Sequence, residues 1–145
     1  MGDTKPPVTL DLSWDGQLQF TARAEDVQFT LDGDRTIGPA PMQMLAASLA
    51  GCMAIDLVHI LTKGRQPLVA LRARLTGERA DQEPRRFERI ALHFTIQGDV
   101  QAGAVERSIA LSHEKYCSVW HSLRQDIDLQ ITYDIVAAAD RAGAH

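Results

Sequence analysis

The sequence predicts an α+β fold, a single domain over residues 1–145 in the order βββ-α-ββ-α-α-β. Two observations predict it. Segments with apolar–polar alternation come in blocks separated by segments of helical period, so the chain does not read as a doubly wound parallel sheet. The stretch from Gly38 to Gly64 is apolar nearly all round, which places it in a core or an interface rather than on a surface. At 145 residues, with 45% hydrophobic and 23% charged composition, the chain can bury a substantial core.

Taken in order, Met1 to Pro7 reads as a loose start. Val8, Leu10, Leu12 and Trp14 alternate with polar residues as a half-buried strand, and Asp15-Gly16 is a tight hairpin signal. Leu18, Phe20 and Ala22 form the return strand, and Val27 to Leu31 a third, ended by Asp32-Gly33-Asp34. The central helix follows, with Pro39 and Pro41 at its start, Lys63 in its last turn and Gly64 at its exit. Leu45, Leu49, Met53, Leu57 and Ile60 form its apolar stripe, with Met44, Ala47, Ile55 and Val58 opposite. Beyond Pro67, Val69, Leu71, Ala73 and Leu75 alternate as a strand. A polar loop spans Gly77 to Arg86, and Ile90, Leu92, Phe94 and Ile96 form the next strand. Asp99 is placed to cap an amphipathic helix from Gln101 to Tyr116, and Ser118 a short helix through Arg124. Ile127, Leu129, Ile131, Tyr133 and Ile135 give the last strand, and the Ala-rich tail begins at Ala137.

A net charge of -4 gives no reason to expect nucleic acid or an anionic membrane as partner. The apolar run from Met42 to Leu61 contains Gln43, Asp56 and His59, which favours a core helix over a membrane span. Met1 to Pro7 lacks the apolar segment of a signal peptide, so the expected compartment is the cytoplasm. Cys117 with His121, and Cys52 with Asp56 and His59, do not make a recognised zinc spacing. The chain also has no CxxC, no HExxH, no Gly-rich phosphate loop and no GxSxG elbow, so neither a metal nor a cofactor is expected.

The chemistry then rests on two cysteines, too few for a disulfide-stapled scaffold. They read as buried thiols, metal ligands or a redox pair. Cys52 lies mid-helix, with Asp56 and His59 following on the same side. Cys117 lies at a helix junction, where the N–H groups of the next helix are expected to lower its pKa.

Two segments resemble the two cysteine motifs of the OsmC/Ohr family. One is Pro39, Pro41, Ala46, Ala47, Gly51 and Cys52, in the branch with GPxPM before the cysteine helix; the other is Lys115-Tyr116-Cys117-Ser118. The element order also matches, so the resemblance covers nearly the whole chain. It implies an OsmC-like fold and an intertwined homodimer around the buried central helix, with active sites at the dimer interface. In the family's peroxidases the first cysteine attacks an organic hydroperoxide and becomes a sulfenic acid. The second closes a disulfide, which a small dithiol or a lipoylated protein reopens. Carried over, Cys52 is peroxidatic and Cys117 resolving.

The same peroxidases place a Glu ten residues before the first cysteine, where this chain has Met42. They take an activating Arg from the turn between the first two strands, where this chain reads Trp14-Asp15-Gly16. Arg23, Arg35 and His121 are the candidates to replace that cation. The leading expectation is a thiol-dependent, peroxiredoxin-like reductase of organic or fatty-acid hydroperoxides in oxidative-stress defence. Its alternatives are a non-catalytic protein holding an apolar small molecule at the dimer interface, and a redox sensor.

Overall fold

The structure is a computed structural model that describes residues 5–138. Most of the expected loose start and Ala-rich tail lies outside the described residues. The chain divides into two compact units, 1–45 and 46–145, with the boundary inside the long helix.

The first unit is an antiparallel meander of β1 (Asp11–Gly16), β2 (Gln19–Ala24) and β3 (Val27–Asp32), in that spatial order. The β1–β2 turn falls at Gln17 and Leu18, two residues beyond the expected Asp15-Gly16. Gly16 and Gln17 both take a positive φ, and the Gln17 carbonyl accepts the Trp14 indole N–H at 2.9 Å. The expected half-burial of the first strand is not met within one chain. Val8 is 96% exposed, Leu12 50% and Trp14 68%.

Asp32 closes the unit. Its buried carboxylate accepts the Thr36 hydroxyl at 2.6 Å and the backbone N–H groups of Asp34, Thr36 and Ile37 at 2.8–3.0 Å. Its own N–H donates to the Pro39 carbonyl at 3.0 Å, so one side chain folds the segment that leads into Pro41. Those donors, the Thr36 hydroxyl foremost, hold the carboxyl down at about 2.

The long helix, α1 (Pro41–Lys63), begins with the Gln43 side chain accepting the Ala40 N–H at 2.9 Å. It closes on Gly64 N–H to the Ile60 carbonyl and Gln66 N–H to the Leu61 carbonyl. Gly64 stands at the exit as expected, and the left-handed residue there is Arg65, at φ +61°. Leu49, Met53, Leu57 and Leu61 are buried, which bears out the apolar stripe with Leu61 in place of Ile60. The opposite face is open within one chain: Ile55 is 69% exposed and Val58 42%.

The second unit also holds the sheet β4 (Leu68–Arg79), β5 (Phe87–Gly98) and β6 (Asp128–Val136), with β5 in the middle. β5 pairs antiparallel with β4 and parallel with β6. A parallel neighbour requires a crossover, supplied by α2 (Ala102–Leu111), a π-helical turn (Ser112–Tyr116) and α3 (Ser118–His121). Ile90, Leu92, Phe94 and Ile96 of β5 are buried, as their alternation predicts. Val69 is not: a bulge between Leu68 and Ala70 adds a residue to β4 and leaves Val69 60% exposed. Gly98, at φ +135°, ends β5 where a Cβ would sit 2.3 Å from the Pro67 carbonyl oxygen, so the β4–β5 edge needs glycine there.

Two caps differ from expectation. α2 starts after Gln101, without a side-chain cap, so Asp99 does not cap it. α3 is capped by Cys117 instead of Ser118 and stops at His121, short of Arg124. On the sheet side, the Tyr133 hydroxyl donates to Glu106 at 2.6 Å, which ties β6 to α2.

The Asp32 network gives a pH signature. The carboxyl titrates at about 2 folded against an ordinary 3.8, so between those values the unfolded chain binds more protons and stability falls as pH falls. At pH 7 Asp32→Asn should lower the thermal midpoint by several degrees, and the gap to the native chain should close between pH 3.8 and 2. A gap that is absent at pH 7, or constant down to pH 2, contradicts this role.

Candidate functional site: a cysteine pair beside a serine–aspartate contact

The crossover that makes β6 parallel to β5 also brings the two cysteines together. α1 supplies Cys52, half-buried and one helical position from the buried stripe; the junction between the π turn and α3 supplies Cys117, which is fully buried. Both are free thiols, and Cys52 is near enough to Cys117 to act on its proton affinity. The sequence named this pair, and the fold joins it.

Cys117 owes its place to local backbone geometry. Its N–H donates to the Ser112 carbonyl at 2.8 Å, which closes the π turn. Its extended backbone then ends that turn, and its Sγ accepts the Trp120 N–H at 3.3 Å as the cap of α3. Trp120 is held in turn by stacking on His113, with ring centroids 5.6 Å apart, and by Gln125 Nε2 donating to its carbonyl at 3.0 Å.

The expected lowering of the Cys117 pKa is overturned. The Trp120 N–H does favour the thiolate, but burial dominates and pushes the thiol up to about 11. The Cys52 sulfur and the Asp56 carboxylate act in the same direction. Cys117 is therefore a protonated thiol at neutral pH.

One contact here was not legible in the sequence. The Ser112 hydroxyl donates to Asp56 Oδ2 at 2.7 Å and links α1 to the π turn. Asp56 was visible one turn after Cys52, but its partner lies 56 positions away. The only local signal was the helix interruption at Cys117-Ser118. Asp56 also lines a cleft of about 510 Å³ with His59, Ile60, Lys63, Leu111 and Tyr116, so Asp56 and His59 do share a side.

Among the candidate replacement cations, Arg23 donates to Gln28 at 2.7 Å on the first sheet, and Arg35 occupies the turn after β3 at φ +58°. His121 Nε2 lies 3.0 Å from the His113 carbonyl oxygen, the geometry of a donated N–H. Among the described residues no group of three or more His, Cys, Asp or Glu is arranged to hold a metal ion.

Comparison with known proteins places this geometry. The chain is 41% identical to Protein YhfA of Escherichia coli K12 over 130 residues, covering 88% of this chain and 97% of that one. A solved structure of a hypothetical protein from Aquifex aeolicus VF5 aligns with TM-score 0.85 at 27% identity, over 92% of this chain and 98% of that one. An organic hydroperoxide resistance protein OsmC from Legionella pneumophila shares the fold with TM-score 0.68 at 18% identity, over 91% and 99% of the two chains. The model of the OsmC-like protein family matches residues 31–132, a span from the end of the first sheet through both cysteines into β6, and the chain belongs to that family.

Proposed function

We propose that the chain is a cytoplasmic, thiol-dependent peroxidase that reduces organic or fatty-acid hydroperoxides. The observation that carries this reading is the asymmetry of the pair: Cys52 is half-buried and Cys117 fully buried, with Cys52 near enough to act on the proton affinity of Cys117. An attacking cysteine must meet substrate. A resolving cysteine must stay protonated and out of reach until its neighbour is oxidised. In this reading Cys52 takes the distal peroxide oxygen, the alcohol leaves, and Cys117 displaces hydroxide from the sulfenic acid to form a disulfide. A dithiol or lipoylated protein reopens it. The names of structural neighbours, organic hydroperoxide resistance proteins among them, support the same reading.

The working unit in this proposal is a homodimer. Ile55, Val58 and Val69 are exposed around a cleft of about 670 Å³, and Trp14, Leu12 and Val27 are exposed on the first sheet, more apolar surface than a monomer keeps in water. A Cβ added at Gly51 would meet no described residue within 4 Å beyond the local helix, although a mid-helix Gly costs about 1 kcal/mol relative to Ala. A partner passing close to α1 accounts for both features. The cleft beside Ile55 and Val58 also favours a second reading, a protein that holds an apolar small molecule and leaves Cys52 idle.

Turnover separates the two readings. Cys52→Ser should abolish hydroperoxide reduction, whereas Cys117→Ser should consume about one equivalent of hydroperoxide and then stall with dithiol as reductant. Full activity in Cys52→Ser overturns the peroxidase, and unchanged steady-state turnover in Cys117→Ser removes its resolving role.

The dimer has its own test. Ile55→Glu places a charge on the open face of α1 without touching the buried stripe, so it should shift sedimentation from dimer to folded monomer. A native-like dimer would show that this face lies outside the interface.

A further inference from the structure

A buried thiol that must attack sulfur has to give up its proton, and the structure offers one group to take it. Asp56 follows Cys52 by one turn of α1. Its carboxylate accepts the Ser112 hydroxyl at 2.7 Å, and the carbonyl of that same serine accepts the Cys117 N–H at 2.8 Å. Ser112 is fully buried, so this linkage is fixed from both sides. Ser112 thereby bridges Asp56 of α1 and the backbone of Cys117, and the Asp56 charge acts on the Cys117 thiol. Asp56 also faces the cleft, where a proton can pass to solvent.

We propose that Asp56 is the proton acceptor for Cys117 when the Cys52–Cys117 disulfide closes. This deepens the reading above and rests on its assignment of Cys52 as attacking and Cys117 as resolving cysteine. The step balances. The Cys117 sulfur bonds to the Cys52 sulfur, the S–O bond of the sulfenic acid breaks, and the oxygen leaves as hydroxide. The Cys117 proton passes to Asp56, and a proton from Asp56 or the cleft converts hydroxide to water. Over the whole cycle the two thiols lose two electrons to the hydroperoxide, which leaves as alcohol and water. The same carboxylate has a resting role, because its negative charge favours the protonated thiol while Cys52 is reduced. The π turn follows from the same geometry: its widened ring carries the Ser112 hydroxyl to Asp56 and the Ser112 carbonyl to Cys117 in one residue.

The test needs no hydroperoxide. With 5,5′-dithiobis(2-nitrobenzoate), Cys52 releases one thionitrobenzoate and keeps the other as a mixed disulfide. Cys117 then releases the second by attacking the Cys52 sulfur. Asp56→Asn should leave the first phase within about twofold, since Cys52 still reacts, and slow the second at least tenfold at pH 7. Its second-phase rate should then climb in proportion to hydroxide, unlike that of the native chain, and Asp56→Glu should recover much of the loss. The groups facing Asp56 are Cys52, His59 and Lys63 of α1, Leu111 at the end of α2, Ser112 and Tyr116 of the π turn, and Cys117. His59 lines the same cleft as Asp56, so His59→Gln must leave the native pH profile in place. Ser112→Ala keeps the charge but removes its anchor and should slow the second phase several-fold, which serves if the Asn variant does not fold.

A second phase as fast in Asp56→Asn as in the native chain, or no second thionitrobenzoate from the native chain, overturns the assignment of Asp56. A chain that passes this test yet reduces no hydroperoxide loses the peroxidase reading alone. One that reduces hydroperoxide with an unaffected Asp56→Asn loses the proton acceptor alone.

Discussion

The burial of Leu49, Met53, Leu57 and Leu61 along one face of α1 is the constraint on which the site depends. Each side chain contributes about 1.5–3 kcal/mol when removed from water, so the rotation of the helix about its axis is fixed. With the rotation fixed, the stripe one position over is fixed as well, and it carries Cys52, Asp56, His59 and Lys63. Cys52 is left half-buried, at the boundary of the core, and Asp56, His59 and Lys63 line a cleft. The second half of the site arrives through the crossover that a parallel β5–β6 pair requires, and that crossover carries Ser112 and Cys117.

Two thiols of the same chemistry thus sit in different surroundings. Burial dominates at Cys117 and outweighs the one backbone N–H that favours its thiolate. In the proposed cycle that imbalance is useful, since a resolving thiol that stays protonated does not compete with Cys52 for oxidant. It also creates the need for a base, and the carboxylate of Asp56, rather than a cation, is the charged side chain that acts on Cys117. The positions that read Met42 and Trp14-Asp15-Gly16 lack the Glu and Arg expected of the family's peroxidases, so activation of Cys52 in the proposed cycle falls to other groups.

Element order was legible because it rests on period. The alternation of Ile90, Leu92, Phe94 and Ile96 marks β5, and the spacing of Leu49, Met53 and Leu57 marks the buried face of α1. What was not legible came from geometry that a single residue decides. The bulge at Val69 turns that side chain outward, and the β1–β2 turn falls two residues beyond Asp15-Gly16, with positive φ at both Gly16 and Gln17. Caps failed for a related reason. Asp99 and Ser118 are good capping residues, yet α2 begins uncapped at Ala102 and α3 takes the Cys117 sulfur as its cap. The cysteine pair itself was readable by resemblance, whereas the Asp56–Ser112 contact joins elements far apart in sequence and leaves no local pattern. The first strand reads as half-buried from alternation alone, and alternation cannot say whether the covering layer belongs to the same chain.

The most direct measurement is peptide mapping by mass spectrometry after the native protein meets one equivalent of an organic hydroperoxide. A Cys52–Cys117 cross-link within one chain, formed with loss of the hydroperoxide and reversed by a dithiol, is the expected product. Two free thiols with the hydroperoxide intact, or Cys52 carried on to sulfinic acid while Cys117 stays free, would contradict a working pair.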